Sequence, residues 1–554
     1  MTFAWYKSYP AGIPHEIGAV EHYSMIDYFD HYSLVYTDAI AADNMGVTMT
    51  FTDVHRQATY FAAYLQHIGL RKGDHIALQL PNLLQFPIAY FGAIKAGLVV
   101  VPTNPLYTAR EMEFQFLDAQ VKAVVILSTV GKSLESILSR TGIKHVIVTR
   151  MGDRLGMIKG TLVDLVVKYG KKLEPAYSIA GAVRFNDALK IGSRSPYQKP
   201  TVHINDLVVL QYTGGTTGTP KGAMLSHRNL LAQARQLRDW LFPAMKGKGE
   251  DVVITALPLY HVYSLMVNLL VGYCCGSKNV LITNPRDIPG FVRELKKHKF
   301  TVISGVNSLY NALLSHPDFA SVDFSELRIA GAGAMALQEV VASRWKEVTG
   351  NTIIQGYGLS ENSGALCANP ITGHIKNDSV GLPLPSTELG IFDEAGQQLP
   401  QGETGEICAR GPQLMSGYWN HDNDGVFFEG NWFRTGDVGV MDEDGYFRIV
   451  DRKKDMISVS GLKVFPNEVE NVIASHPKVL EVGVIGVPDA QCGEAVKVFI
   501  VKRDTSLTND EIIAHCRQNL APYKIPKHVA FVTALPKTAV GKILRRELRE
   551  VAVV

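Results

Sequence analysis

Tyr212-Thr213-Gly214-Gly215-Thr216-Thr217-Gly218-Thr219-Pro220-Lys221-Gly222 gathers close-set glycines, threonine hydroxyls and one lysine into a single loop. Glycines let successive backbone N–H groups turn toward one anion, hydroxyls add donors, and Lys221 adds charge. The stretch therefore reads as a phosphate cradle. It is not a Walker A loop, which needs Gly-Lys-Ser/Thr opening a helix, because Pro220 precedes the lysine and Gly222 stands where a magnesium-binding hydroxyl is required. A flexible turn would carry the same glycines, so its flanks decide. Asp206–Tyr212 reads as a buried strand and residues from Asn229 onward read as a helix, which predicts a loop at the edge where α/β folds bind ligands.

Working outward, strand-like runs alternate with helical patterns as far as about residue 450: Lys122–Leu127, His145–Val148, Phe300–Ile303 and Leu327–Ala330. Such alternation predicts an α/β fold, with a large N-terminal domain of layered, mainly parallel sheets. From Ser379 to Ile449 short strands and tight turns, such as Asp393–Gly396 and Asp442–Gly445, predict a small β-rich subdomain. The charged run Asp451-Arg452-Lys453-Lys454-Asp455 then separates about a hundred residues with their own strands (Val482–Ile485, Val496–Val501) and helices (Pro466–Ser475, Asn509–Asn519), enough for a separate α+β core. The expected division is 1–451, a joint at 452–456, and 457–554.

The chain has 554 residues, more than one core accommodates, and 46% hydrophobic residues supply several. A formal net charge of +2 gives no basic field for nucleic acid. Six scattered cysteines, with neither Cys-x-x-Cys nor zinc-like spacing, fit a reducing cytoplasm. Met1–Lys7 lacks the apolar core of a signal peptide. The most apolar segment, Val252–Cys275, is interrupted by Pro258, His261 and Asn268, leaving pieces too short to span a bilayer, and is expected to be buried core around a functional loop.

Further segments join the loop in order: Leu257–His261, Gly331–Ala334, Gly356-Tyr357-Gly358-Leu359-Ser360-Glu361, Trp432–Asp437, Asp451–Ile457, Gly461–Pro466 and Pro536–Lys542. Together they resemble, over essentially the whole chain, the adenylate-forming superfamily of acyl-CoA synthetases, luciferases and peptide-synthetase adenylation domains. Asn284–Asp287 and Lys542–Leu548 look most like the bacterial long-chain fatty acyl-CoA synthetases. The resemblance implies a mobile C-terminal domain and attack of a carboxylate on the α-phosphate of ATP, giving an acyl-adenylate that CoA then takes. Because anions must meet, such a site gathers positive charge and donors. By motif position, Thr213, Gly214, Gly215, Thr216, Thr217, Gly218 and Lys221 hold the phosphates, although Gly215 replaces a common serine and removes one donor. Glu361 is the magnesium ligand, following Ser360. Tyr357 lies against adenine, where Gly331 and Gly333 permit close approach, and Asp437 and Arg452 contact the ribose. Lys542 is the catalytic lysine, chosen over nearby Lys537, Arg545 and Arg546 by the motif alone. Lys454 is the pivot, and Ser460 and Gly461 wall the CoA arm.

His261 replaces the aspartate with which amino-acid-activating relatives grip an ammonium, so amino acids are disfavoured. Gly358 stands where acetate-activating relatives close the pocket with tryptophan. The expectation is an open acyl pocket at His261, Gly305, Val306 and Gly358, where each buried methylene contributes about 0.8 kcal/mol. Medium- to long-chain fatty acids are the expected substrates, with ATP and CoA as co-substrates and Mg2+ as cofactor. A fatty acyl-AMP ligase serving a carrier protein and an aromatic-acid CoA ligase are the alternatives. The resemblance is compatible with a homodimer, and a fatty substrate with peripheral contact at the inner face of a membrane.

Overall fold

Ala123-Val124-Val125-Ile126-Leu127 is a strand buried at every position, as expected of parallel sheets covered on both faces. A computed structural model describes residues 3–213, 220–538 and 541–552 of this chain. In it, Ala123–Leu127 belongs to a seven-stranded sheet whose order is Val183–Arg184, His145–Thr149, Ala123–Leu127, His75–Gln79, Val99–Pro102, Leu207–Tyr212, Gly222–Ser226. All neighbours are parallel except the last pair. A nine-stranded sheet has Ile40–Asn44, Lys278–Leu281, Val252–Thr255, Val302–Gly305, Ile329–Ala332 and Ile353–Tyr357 running parallel, with antiparallel strands at both edges. One core takes Leu78 and Val125 from the first sheet and Leu281 and Tyr357 from the second. It includes Ile88 and Phe91 of the Gln85–Lys95 helix, which is buried along its whole length.

Between the phosphate cradle and its helix stands a strand that the sequence reading omitted. Gly222–Ser226 is a strand antiparallel to Leu207–Tyr212, so the loop tops a hairpin. The helix expected from Asn229 onward runs from His227 to Leu241, and Ser226 caps it by accepting from Asn229 N while Asn229 Oδ1 accepts from Ser226 N. The apolar run Ala223-Met224-Leu225 forms the strand, and its pairing buries Ala223 and Leu225 in the main core. Val252–Cys275 supplies a strand, Val252–Thr255, and a buried helical run from Val262 to Cys274 that loosens to π geometry over Leu265–Val271. Among the described residues no helix is long and apolar enough to cross a membrane.

The β-rich region is a five-stranded antiparallel sheet built from Glu388–Phe392, Gly405–Arg410, Phe427–Phe428, Trp432–Met441 and Phe447–Arg452. Its turns close with Gly396 N donating to Asp393 O and Gly445 N to Asp442 O. Arg452 is still in the last of these strands, and Ile457–Val459 already belongs to another sheet. That C-terminal sheet combines Leu462–Val464, Ile457–Val459, Gly493–Lys502, Val479–Asp489 and His528–Val532. With the helices Pro466–Ala474 and Asn509–Asn519 it encloses a core of its own around Val469, Val484 and Ile512.

Candidate active site

Trp432–Met441 and Phe447–Arg452 pair so that Asp437 faces Arg452 across the ladder. The pairing sets Arg452 Nε 3.2 Å from Asp437 Oδ1. Tyr357, at the end of its parallel strand, donates its hydroxyl to Asp437 Oδ2 at 2.6 Å. Burial and the neighbouring carboxylate push the Tyr357 phenol well above its ordinary range, so it stays a donor. A carboxylate offers about four lone-pair sites, so Asp437, held from both ends, keeps acceptor capacity for a diol. These residues line a cavity of about 670 Å³, together with Gly358, Asn307 and, from the C-terminal domain, Lys542.

Lys542 enters on a tight turn. Thr538 N donates to Lys542 O at 2.8 Å, Lys542 N donates to Thr538 Oγ1 at 3.1 Å, and Gly541 takes a positive φ of 84°. A Cβ at Gly541 would lie 2.3 Å from Ser308 Oγ, so only glycine lets the turn come this close to the large domain. Burial, then Arg452, push the Lys542 ammonium down to about 7, with Asp437 pulling the other way. Its basic neighbours are engaged elsewhere. Lys537 pairs with Glu481 and exposed Arg546 with Glu550 at 3.8 Å. Arg545 sits among Asp451 (3.5 Å), Asp455 (3.3 Å) and Glu470 (2.9 Å). Lys542 has no ion pair among the described residues.

Glu361 lies in the short turn Ser360–Asn362 and accepts the Tyr418 hydroxyl at 2.7 Å. Burial raises its carboxyl above the usual range. The Tyr418 ring also lies 5.1 Å from Lys221 Nζ, a cation–π contact. Tyr418 thus ties the acid to the cradle lysine. The neck of the cradle is closed by Thr213 N donating to Lys221 O at 2.9 Å. Gly214, Gly215, Thr216, Thr217 and Gly218 lie outside the described residues. Among those described, no three His, Cys, Asp or Glu side chains converge on a metal position. A lone oriented carboxylate suits Mg2+, which is held by one or two carboxylates with substrate phosphates and water.

The glycines of the expected acyl pocket have a different reason. A Cβ on Gly358 would stand 2.0 Å from Gly364 O, and one on Gly305 would stand 2.8 Å from the Tyr310 ring. Backbone and a fully buried tyrosine fill these Cβ directions, so close packing requires both glycines, although Gly358 also lines the cavity. Val306 is buried beneath Gly541. His261 caps the helical run and accepts weakly from Tyr263 N at 3.4 Å. Burial, then Lys542, push its imidazole down to about 4, so it is neutral. Ser460 and Gly461 form the tip of a hairpin with positive φ at both residues and do not line the cavity. Lys454 lies in the turn after Arg452.

Two tyrosines escape sequence reasoning. Tyr418 is separated by 57 residues from Glu361, and the pairing of Ala223 with Tyr418 and the bond from Met415 N to Glu361 O bring it in. Tyr263 stands against Gly331 and Gly333, where Cβ atoms would meet its hydroxyl at 3.4 Å and its Cε1 at 3.3 Å. Its proximity to His261 in sequence was the available signal.

Compared with known proteins, residues 29–419 match the model of the AMP-binding enzyme family and residues 468–542 that of the AMP-binding enzyme C-terminal domain. The chain belongs to the AMP-binding enzymes. It is 49% identical over 554 residues to a long-chain-fatty-acid–CoA ligase of Salmonella typhimurium, covering 100% of this chain and 99% of that one. It is 50% identical to the Yersinia pestis protein of the same name, covering 99% and 98%. Among solved structures, an anthranilate CoA ligase in complex with anthranoyl-AMP superposes with a TM-score of 0.85 at 28% identity, covering 96% and 98%. The fold class and the adenylate-forming resemblance are borne out.

Proposed function

We propose that this protein is a long-chain-fatty-acid–CoA ligase, converting a fatty acid, ATP and CoA to acyl-CoA, AMP and pyrophosphate. The observation that carries the reading is the docking of Lys542 from one domain beside Asp437 and Arg452 of the other, on a cavity large enough for a nucleotide. The whole-chain likeness to long-chain-fatty-acid–CoA ligases supports the substrate class.

In the first half-reaction the fatty carboxylate oxygen attacks the α-phosphorus and the bond to pyrophosphate breaks. Thr213 and Lys221 would take the phosphates, and Asp437 and Arg452 the ribose. Lys542, when protonated, would neutralise charge shared between the carboxylate and the α-phosphate. Mg2+, held by Glu361, would neutralise phosphate charge. In the second half-reaction the CoA sulfur attacks the acyl carbonyl carbon and AMP leaves. The Lys542 turn covers the site from the side of Ser308, so this step calls for the C-terminal domain to move, with Lys454 as pivot and Ser460 and Gly461 lining the pantetheine path. A free fatty acid partitions into bilayers, which makes peripheral membrane contact part of this reading.

The test incubates the purified protein with ATP, magnesium, CoA and acids from acetate to oleate plus benzoate, and identifies products by mass spectrometry. Acyl-CoA weighted to long chains with equal AMP is expected. Acyl-adenylate without thioester would point to a carrier-protein ligase, and benzoyl-CoA as the main product to an aromatic-acid ligase. Lys542→Ala is expected to lose adenylation about 100-fold or more while keeping thioester formation from supplied acyl-adenylate.

A further inference from the structure

Large apolar side chains that stay in water are scattered singly over most of this molecule, but seven of them fall between residues 157 and 173. Six of them belong to the helix Met157–Leu165 and its π-wound continuation Val166–Gly170, roughly 20 Å of helical rod, and Leu173 follows just beyond its end. Ile158, Leu162, Leu165, Val166 and Tyr169 recur at helical spacing and form one outward stripe, and Met157 at its start is 87% exposed and Ile158 77%. The opposite face is anchored by Gly160, whose backbone meets Gly152 so closely that a Cβ there would stand 2.3 Å from Gly152 O, and by buried Val167. The rod is therefore fixed to the body with its apolar stripe turned out. A contiguous apolar face of this kind marks an interaction surface.

Charge selects the occupant. Lys168 is exposed beside the stripe and Lys171 and Lys172 just beyond its end, while Lys159, also exposed, donates its ammonium to Met45 O on the body. The one acidic residue between 154 and 173, Asp164, is partly buried and accepts from Gly152 N at 2.8 Å on the body side. A symmetric pair of copies joined by this face would set the same lysines of both against each other. An anionic bilayer instead takes apolar side chains into the acyl boundary and lysines onto headgroup phosphates. We propose that residues 157–173, a docking helix and the lysine-bearing stretch after it, lay this protein on an anionic membrane surface.

The docking helix rests on the membrane contact included in the proposed function and gives it a place in the fold, and its test reads binding without turnover. Full-length protein is sedimented with vesicles of phosphatidylcholine containing about 30% phosphatidylglycerol, and with phosphatidylcholine alone. Expected is recovery with the anionic vesicles that weakens as salt rises. Leu162→Asp with Tyr169→Asp should weaken it about tenfold or more, and Lys168→Glu, Lys171→Glu and Lys172→Glu together should lower it to the level on neutral vesicles. Each set keeps the other's residues, so the two are independent, and unchanged melting temperature and pyrophosphate release with octanoate report the fold. Failure of the wild-type protein to sediment with anionic vesicles, or binding by both variants as strong as wild type, would overturn the proposal. So would a dimer that Leu162→Asp with Tyr169→Asp converts to monomer in sedimentation velocity without any vesicle binding. Protein that binds vesicles yet makes no acyl-CoA would sink the enzymatic reading and leave this one standing.

Discussion

Lys542 and Glu361 are both held toward their neutral forms by burial, and substrate must reverse that. For Lys542 the value of about 7 lies below the ordinary lysine value of 10.5, so between those pH values the folded protein binds fewer protons than the unfolded chain. This group therefore favours folding increasingly as pH rises from 7, while its charge, needed for adenylation, disappears over the same range. The profile of kcat/KM for ATP reports the free enzyme and should fall above about pH 7. ATP phosphates restore the charge, so the break in kcat should lie higher. Lys542→Arg stays charged and should abolish the break in kcat/KM while lowering its plateau, and an unchanged break would remove Lys542 from the assignment. Tyr418→Phe leaves Glu361 without its hydroxyl partner at 2.7 Å. A hydrogen bond to a charged group contributes about 1.5–3 kcal/mol, so the magnesium concentration for half-maximal rate should rise about tenfold. No change in that requirement would separate Tyr418 from the metal.

The elements explain what sequence could and could not deliver. Asp437 and Arg452 were legible by motif position alone, and their pairing across two neighbouring strands follows from a short connection. Tyr418 and Tyr263 were not, since contacts that depend on which strand reaches which loop leave no local periodicity. The strand Gly222–Ser226 under the phosphate cradle was missed for a related cause: five residues between a glycine-rich loop and a helix are too short a window for a period to show. Gly358 shows the limit of reading a pocket from a small residue. Its missing side chain is matched by Gly364 O at 2.0 Å rather than by space. Gly358→Ala should therefore lower stability by about 1–3 kcal/mol through overpacking, seen as a lower melting temperature. A folded, equally stable variant with a shortened acyl preference would restore the tunnel explanation.

At the scale of the whole molecule, two separately cored bodies meet around Arg545. Its guanidinium joins Asp451 and Asp455 at the junction to Glu470 of the Pro466–Ala474 helix, and Asn467 adds a bond at 3.0 Å. Removing one partner of a buried ionic cluster costs about 3–5 kcal/mol because the remaining charges are left unpaired, so Arg545→Ala should melt the C-terminal domain early in calorimetry. A single unshifted transition would contradict that role. Movement at the adjoining turn is a separate matter. Lys453–Met456 connect a strand of one sheet to a strand of the other, and any reorientation must be absorbed by a few backbone torsions there. Proline fixes φ near −65° and restricts the residue before it. In Lys454→Pro the arrangement with Lys542 docked can persist, whereas the change needed to admit a thiol from that side cannot. Pyrophosphate release in single turnover should then stay within about tenfold of wild type while acyl-CoA formation falls about 100-fold and acyl-adenylate accumulates. Equal loss of both half-reactions would show that Lys454 serves the docked site itself, and loss of adenylation alone would place the pivot elsewhere.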